Sequence, residues 1–187
     1  VSYGMIRLKT GKMATREGNV IYVTELLDEA VKKAKDIITN KNPNLENADT
    51  VANQVGVGAL IFNYLKSGKN KDIIFDLDDT LRFDGETGPY VQYTYVRTKS
   101  ILEKVGFNIE NIDMNSIDLN ALKEKQEVEL IKELEKFESI IRKAANDYEP
   151  SVLARYLIDV ATAFSRFYNE CSVANLEDEN LKAARCV

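Results

Sequence analysis

The sequence predicts a mainly α-helical protein, a helix bundle preceded by a short β/α segment. Apolar residues recur at helical spacing through most of the chain, β-branched alternation is concentrated near its start, and Gly or Pro marks most borders between periodic stretches. With 187 residues, 44% of them hydrophobic and 29% charged, the chain carries enough apolar material for one substantial core or two small ones.

Residues 5–9 and 19–23 are short, partly alternating and β-branched, and Gly11 and Gly18 lie in the basic, polar stretch between them, which reads as strand, long loop, strand. From Thr24, an expected N-cap, the residues Leu26, Leu27, Ala30, Val31, Ala34, Ile37 and Ile38 hold one apolar stripe until Asn42-Pro43 ends it. A second helix is expected over residues 49–65. It is apolar on more than one side and should be largely buried, with Ser67-Gly68 closing it. After the apolar triplet Ile73-Ile74-Phe75 comes an acidic run, then a polar turn ending at Pro89. Proline suits the first turn of a helix, and Tyr90, Tyr93, Val96, Ile101 and Leu102 carry one to Gly106. Residues 107–120 are rich in Asn and Asp and read as irregular. Residues 127–146 and 151–168 are strongly helical in pattern, the second with Leu153, Leu157, Val160, Ala161, Phe164 and Phe167 as its core stripe.

Composition narrows the chemistry. The chain has no histidine, the side chain whose ordinary pKa lies nearest neutrality and which most often serves as acid-base catalyst or zinc ligand. Cys171 and Cys186 are too few for a disulfide framework or a thiolate metal site, so reduced, incidental thiols are expected, with no metal site. No apolar run approaches the roughly 20 residues of a membrane-spanning helix, and a cytoplasmic protein is expected. The net charge of −5 is uneven: eight Lys/Arg against five Asp/Glu through Asn42 give +3, and seventeen against twenty-five in the remainder give −8. Any polyanion site is therefore local.

Two motifs carry possible chemistry. Lys12-Met13-Ala14-Thr15-Arg16 lies in the glycine-flanked loop, where Lys and Arg can neutralise charge on a departing pyrophosphate. A basic, solvated hairpin tip is the competing reading. Asp76-Leu77-Asp78-Asp79-Thr80, behind its apolar triplet, matches the D-x-D-x-T signature of haloacid-dehalogenase-like phosphatases, in which Asp76 would be the nucleophile and Asp78 the acid-base. Such a fold needs further βα units downstream, and here the downstream sequence reads as helix.

The basic pentapeptide and its flanks, residues 3–19, resemble the strand and KMSKS-type loop of the arginyl-tRNA synthetases. The resemblance extends to the helix from Glu25 to Ala30, to residues 72–76 and, most specifically, to residues 85–97 with Gly88-Pro89-Tyr90. It continues through residues 154–161, Phe164, Phe167-Tyr168-Asn169 and Val173. It implies the end of a class I catalytic domain over residues 1–84 and the helical anticodon-binding bundle of class Ia synthetases over 85–187. It also implies a piece of a longer enzyme, inactive alone, because the family's HIGH signature needs histidines.

By position, Lys12 matches the first KMSKS lysine, while Thr15 stands where the second would be, and Arg16 is its nearest substitute. The implied catalytic residues are Lys12 and Arg16, and the implied ATP contacts Lys9, Lys12, Met13, Thr15 and Arg16. Magnesium-bound ATP and arginine would be substrates of the full-length enzyme and an arginine tRNA its partner, with no tightly held cofactor, no membrane contact and a monomeric state. Tyr90, Tyr93 and Arg97 share a helix face by spacing and, with Tyr168 and Asn169, are the implied tRNA contacts. Tyrosines at helical spacing also fill cores, so packing competes with base stacking at these positions. The alternatives are a helical RNA-binding or scaffold module without catalysis, and the phosphatase.

Overall fold

A computed structural model describes residues 2–8, 22–108 and 112–187. The chain runs β1 (Ile6–Leu8), α1 (Val23–Lys41), α2 (Ala48–Leu65), β2 (Ile73–Phe75), the single turn α3 (Leu77–Thr80) and α4 (Gly88–Val105). Two 3-10 turns follow, Met114–Ser116 and Leu119–Ala121, then α5 (Lys125–Glu135), α6 (Phe137–Asn146), α7 (Pro150–Glu170) and α8 (Glu179–Cys186).

Helix α1 starts earlier than Thr24. Its cap is Tyr22, whose backbone N–H donates to Glu25 Oε2 at 3.2 Å, because a Glu three residues into the turn satisfies the otherwise free amide. Of the strand expected over 19–23, Tyr22 and Val23 are thus helix cap and first helical residue, and residues 19–21 lie outside the described residues. The strand that pairs with β1 is β2, parallel, with Ile6 opposite Ile73 and Leu8 opposite Phe75. Parallel pairing needs a crossover, which helices α1 and α2 supply.

The two helices pack closely through small residues. Ala30, Ala34, Ala52 and Ala59 are buried, and a Cβ on Gly56 would lie 2.8 Å from Val31 N and 2.9 Å from Ala30 C. Leu60, Phe75 and Leu81 seal this core against the sheet and α3. Two backbone amides fix β1 beside the α2–β2 loop: Gly4 N–H donates to the Lys69 carbonyl at 2.8 Å, and Met5 N–H donates to the Asp72 side chain at Oδ1, also at 2.8 Å.

Thr87 starts α4: its Oγ1 accepts from Tyr90 N–H at 3.2 Å and donates to Arg82 O at 2.6 Å. Gly106 ends α4 in the left-handed region at φ 68°. In the irregular stretch that follows, Asp113 and Asp118 each accept from the amide two residues on, which makes the short turns the Asn/Asp composition foretells.

The periodic segment 127–146 forms two helices rather than one. At Lys136 the chain bends, its N–H shared between Glu133 O and Leu134 O, so that α5 and α6 both lie on α7. Phe137 opens α6 with its ring 6.1 Å from that of Tyr156. A second core, built on Phe167, Cys171, Val173 and Cys186 with Ile101, Leu102, Leu130 and Phe164 against it, joins α4, α5, α7 and α8. Among the described residues no helix is long and apolar enough to cross a membrane.

Candidate functional site

Helices α4 and α7 run parallel, and their pairing decides which side chains meet. Near the start of α4, Tyr90 directs its hydroxyl into the interface, 3.1 Å from Ser165 Oγ and 3.3 Å from Ala161 O. Two turns later the Arg97 guanidinium lies 3.8 Å from the ring centroid of Tyr168 and 5.5 Å from that of Tyr93. Both rings stay open to solvent, Tyr93 at 47% and Tyr168 at 41% exposure, so each is covered only in part by the cation between them.

Beyond this stack the C-terminal ends of the two helices open into a cleft of about 410 Å³. Arg97, Ser100 and Lys104 of α4 form one side, and Tyr168 and Asn169 with residues 171–175 form the other. Helix C-termini expose free carbonyls and a negative dipole end, which the cations at 97 and 104 offset. Glu170 also lines the cleft, and its carboxylate accepts from the Gln126 side-chain amide. Such a recess offers aromatic faces, cationic donors and an amide, the functional groups that hold an unstacked base and its phosphate.

The structure therefore brings Tyr93, Arg97, Tyr168 and Asn169 together and turns the Tyr90 hydroxyl away, into helix packing. Ser100 and Lys104 were not foreseen as cleft residues, although their spacing of three and seven from Arg97 places them on its face. The ion pair behind the cleft, Arg185 Nε to Glu127 Oε1 at 2.6 Å, links residues far apart in the chain and has no local sequence signal. Lys9, Lys12, Met13, Thr15 and Arg16 lie outside the described residues.

The D-x-D-x-T stretch has a structural use. Asp76 follows β2 at its carboxyl end and caps α3, its Oδ1 accepting from Asp79 N–H at 2.9 Å. Its backbone carbonyl accepts from Thr80 Oγ1 at 2.6 Å. Asp78 Oδ1 lies 2.7 Å from Lys33 Nζ, tying the turn to α1 and raising the Lys33 ammonium above its ordinary pKa. Among the described residues the sheet behind Asp76 has two strands, without the βα units a phosphatase of this class needs.

Two family models match successive parts of the chain. Residues 91–186 match the DALR anticodon binding domain, and residues 1–77 match the catalytic domain of class I tRNA synthetases (R). An arginine–tRNA ligase of Clostridium kluyveri is 49% identical over 185 residues, covering 99% of this chain and 32% of that protein. One from Clostridium acetobutylicum is 48% identical with the same coverage. Among solved structures, the arginyl-tRNA synthetase of Thermus thermophilus superposes with a TM-score of 0.86 at 30% identity, over 100% of this chain and 31% of that one. The Plasmodium falciparum enzyme superposes with a TM-score of 0.80 at 27% identity, again over 100% and 31%. The chain thus spans about a third of the length of the relatives it matches.

Proposed function

Because the chain belongs to the arginyl-tRNA synthetase family, we propose that it supplies the tRNA-recognising part and the second ATP loop of an arginine–tRNA ligase. The full-length enzyme would join arginine to its tRNA using magnesium-bound ATP, as a cytoplasmic monomer. Residues 1–84 would be the end of the catalytic domain and residues 85–187 the anticodon-binding bundle. In the loop, Lys12 and Arg16 would stabilise the departing pyrophosphate, with Lys9, Met13 and Thr15 touching the nucleotide.

The observation that carries the RNA half of this reading is the Tyr93–Arg97–Tyr168 stack at the mouth of a cleft that also holds Asn169. Stacking rigidifies a guanidinium without consuming its in-plane N–H groups, which stay available to a phosphate or a base edge. Exposed rings on either side give bases a surface to stack on. Tyr90, bound to Ser165 and the Ala161 carbonyl, supports this arrangement by fixing α4 against α7. The test is titration of labelled anticodon stem-loops at fixed salt. The 187-residue chain is expected to prefer an arginine stem-loop, and to respond more to a change of the central cytosine than to a change in stem sequence. Tyr168→Ala should weaken binding by about 1–3 kcal/mol while leaving the fold intact, since its ring is exposed. Equal affinity for unrelated anticodons would overturn the assignment.

A further inference from the structure

One wall of the cleft, residues 171–175, follows the end of α7 and has few backbone bonds of its own. Cys171 N–H donates to Phe167 O at 2.7 Å, and Leu176 N–H reaches Val173 O at 3.4 Å. The Ser172 carbonyl is held from behind by Arg185 of α8, whose Nη1 donates to it at 2.6 Å. The same guanidinium donates through Nε to Glu127 Oε1 at 2.6 Å, and Glu127 Oε2 accepts the Glu124 N–H at 2.7 Å. The two side chains are 7% and 1% exposed, the only ion pair among the described residues with both partners buried. A continuous set of bonds thus runs from the first turn of α5, through Glu127 and Arg185, to the wall of the cleft.

Buried ion pairs are weak stabilisers, because desolvation offsets most of their attraction, and apolar pairs of similar volume often do as well. What a buried guanidinium supplies that an apolar side chain cannot is a rigid fork of donors, here joining a carboxylate and a backbone carbonyl at fixed spacing. We propose that Arg185, oriented by Glu127, is a positioning residue for RNA binding, which sets the 171–175 wall against Tyr168 and Asn169. It touches no RNA itself and acts through the Ser172 carbonyl. The proposal rests on the cleft being the RNA site.

The test uses the 187-residue chain with two variants, Arg185→Lys and the double substitution Glu127→Met with Arg185→Met. Lysine keeps the charge and loses the fork; the double variant removes both charges and keeps the volume. Both are expected to unfold cooperatively in denaturant and to lose roughly tenfold or more in affinity for an arginine anticodon stem-loop, with reduced discrimination against an unrelated one. Hydrogen exchange should rise at the amides of 173–176 and stay unchanged in α1. Rings that merely stack, by contrast, would lose affinity without that exchange signature when truncated. Wild-type affinity in a folded Arg185→Lys chain, or unchanged exchange at 173–176, overturns the positioning role. Failure of both variants to fold makes the pair a folding determinant and overturns it too. If the wild-type chain itself does not discriminate between stem-loops, the RNA reading fails, while the exchange measurement still decides whether Arg185 holds the wall.

Discussion

Helices α1 and α2 and the bundle of α4, α5, α7 and α8 bury their cores by opposite means. The first pair meets through Ala30, Ala34, Ala52, Gly56 and Ala59, with backbone close to backbone. The bundle meets through Phe167, Val173, Phe164 and Leu130, and leaves a largely apolar cavity of about 480 Å³ between its helices. Small residues give a tight seam that cannot accept extra atoms, whereas large ones leave room to repack but depend on a few anchoring contacts. Strand β1 packs beside the first kind of core, and the cleft proposed to bind RNA is built on the second.

The largest effect should come from removing an anchor of the bundle. Glu127→Ala leaves the Arg185 guanidinium buried without its carboxylate and frees the Glu124 N–H, at a cost of about 3–5 kcal/mol in urea unfolding. Loss should be selective, with amides of α5 and α8 exchanging faster than those of α1. A cost under about 1 kcal/mol would mean that the pair behaves like an exposed one.

The seam is tested by a pair of neighbouring glycines. In Gly56→Ala the new methyl meets backbone atoms of α1 at 2.8–2.9 Å, so the helices must part, and overpacking of this kind costs on the order of 1–3 kcal/mol. In Gly58→Ala the nearest atom is Gln92 Nε2 at 2.7 Å, the end of a side chain that can swing away. There the gain in helix propensity, about 1 kcal/mol, should roughly offset the lost bond from Gln92 to the Gln54 carbonyl. Equal effects of the two substitutions would show that the seam is not close-packed.

How much of this was legible in the sequence follows from which contacts are local. Helical periodicity gave α1, α2, α4 and α7, and the stops at Asn42-Pro43 and Gly106 act as composition suggests, because caps and stripes are short-range features. Tyr93 and Arg97 were readable as one face, and Tyr168 and Asn169 came from resemblance rather than from spacing. What spacing could not give was the partner of β1, the break at Lys136 and the Arg185–Glu127 pair. The first and last are decided by residues from distant parts of the chain, and the break at Lys136 carries no Gly or Pro to mark it. The D-x-D-x-T match shows the converse. A pattern of carboxylates specific enough to suggest a nucleophile is satisfied locally by capping one helical turn.

The smallest effect concerns the two thiols of the bundle core. Cys171 and Cys186 are 2% and 8% exposed, and burial pushes the pKa of both above the ordinary thiol value. A thiol whose folded pKa exceeds its unfolded one holds its proton more tightly when folded. Unfolding therefore releases protons once the pH passes the unfolded value, near 8.5, and stability falls from there upward. Below that pH both states are protonated and the thiols contribute no slope. Urea midpoints measured between pH 7 and pH 10 should decline in the wild type, and less in a Cys171→Ala, Cys186→Ala chain, whose lower starting stability reflects lost packing. The helices α1 and α2 contain no cysteine, so the difference between the two chains should report the bundle alone. Identical declines would assign the alkaline loss to tyrosines or lysines instead, and Tyr64, held above its ordinary pKa by burial against Phe75, would be the first to substitute.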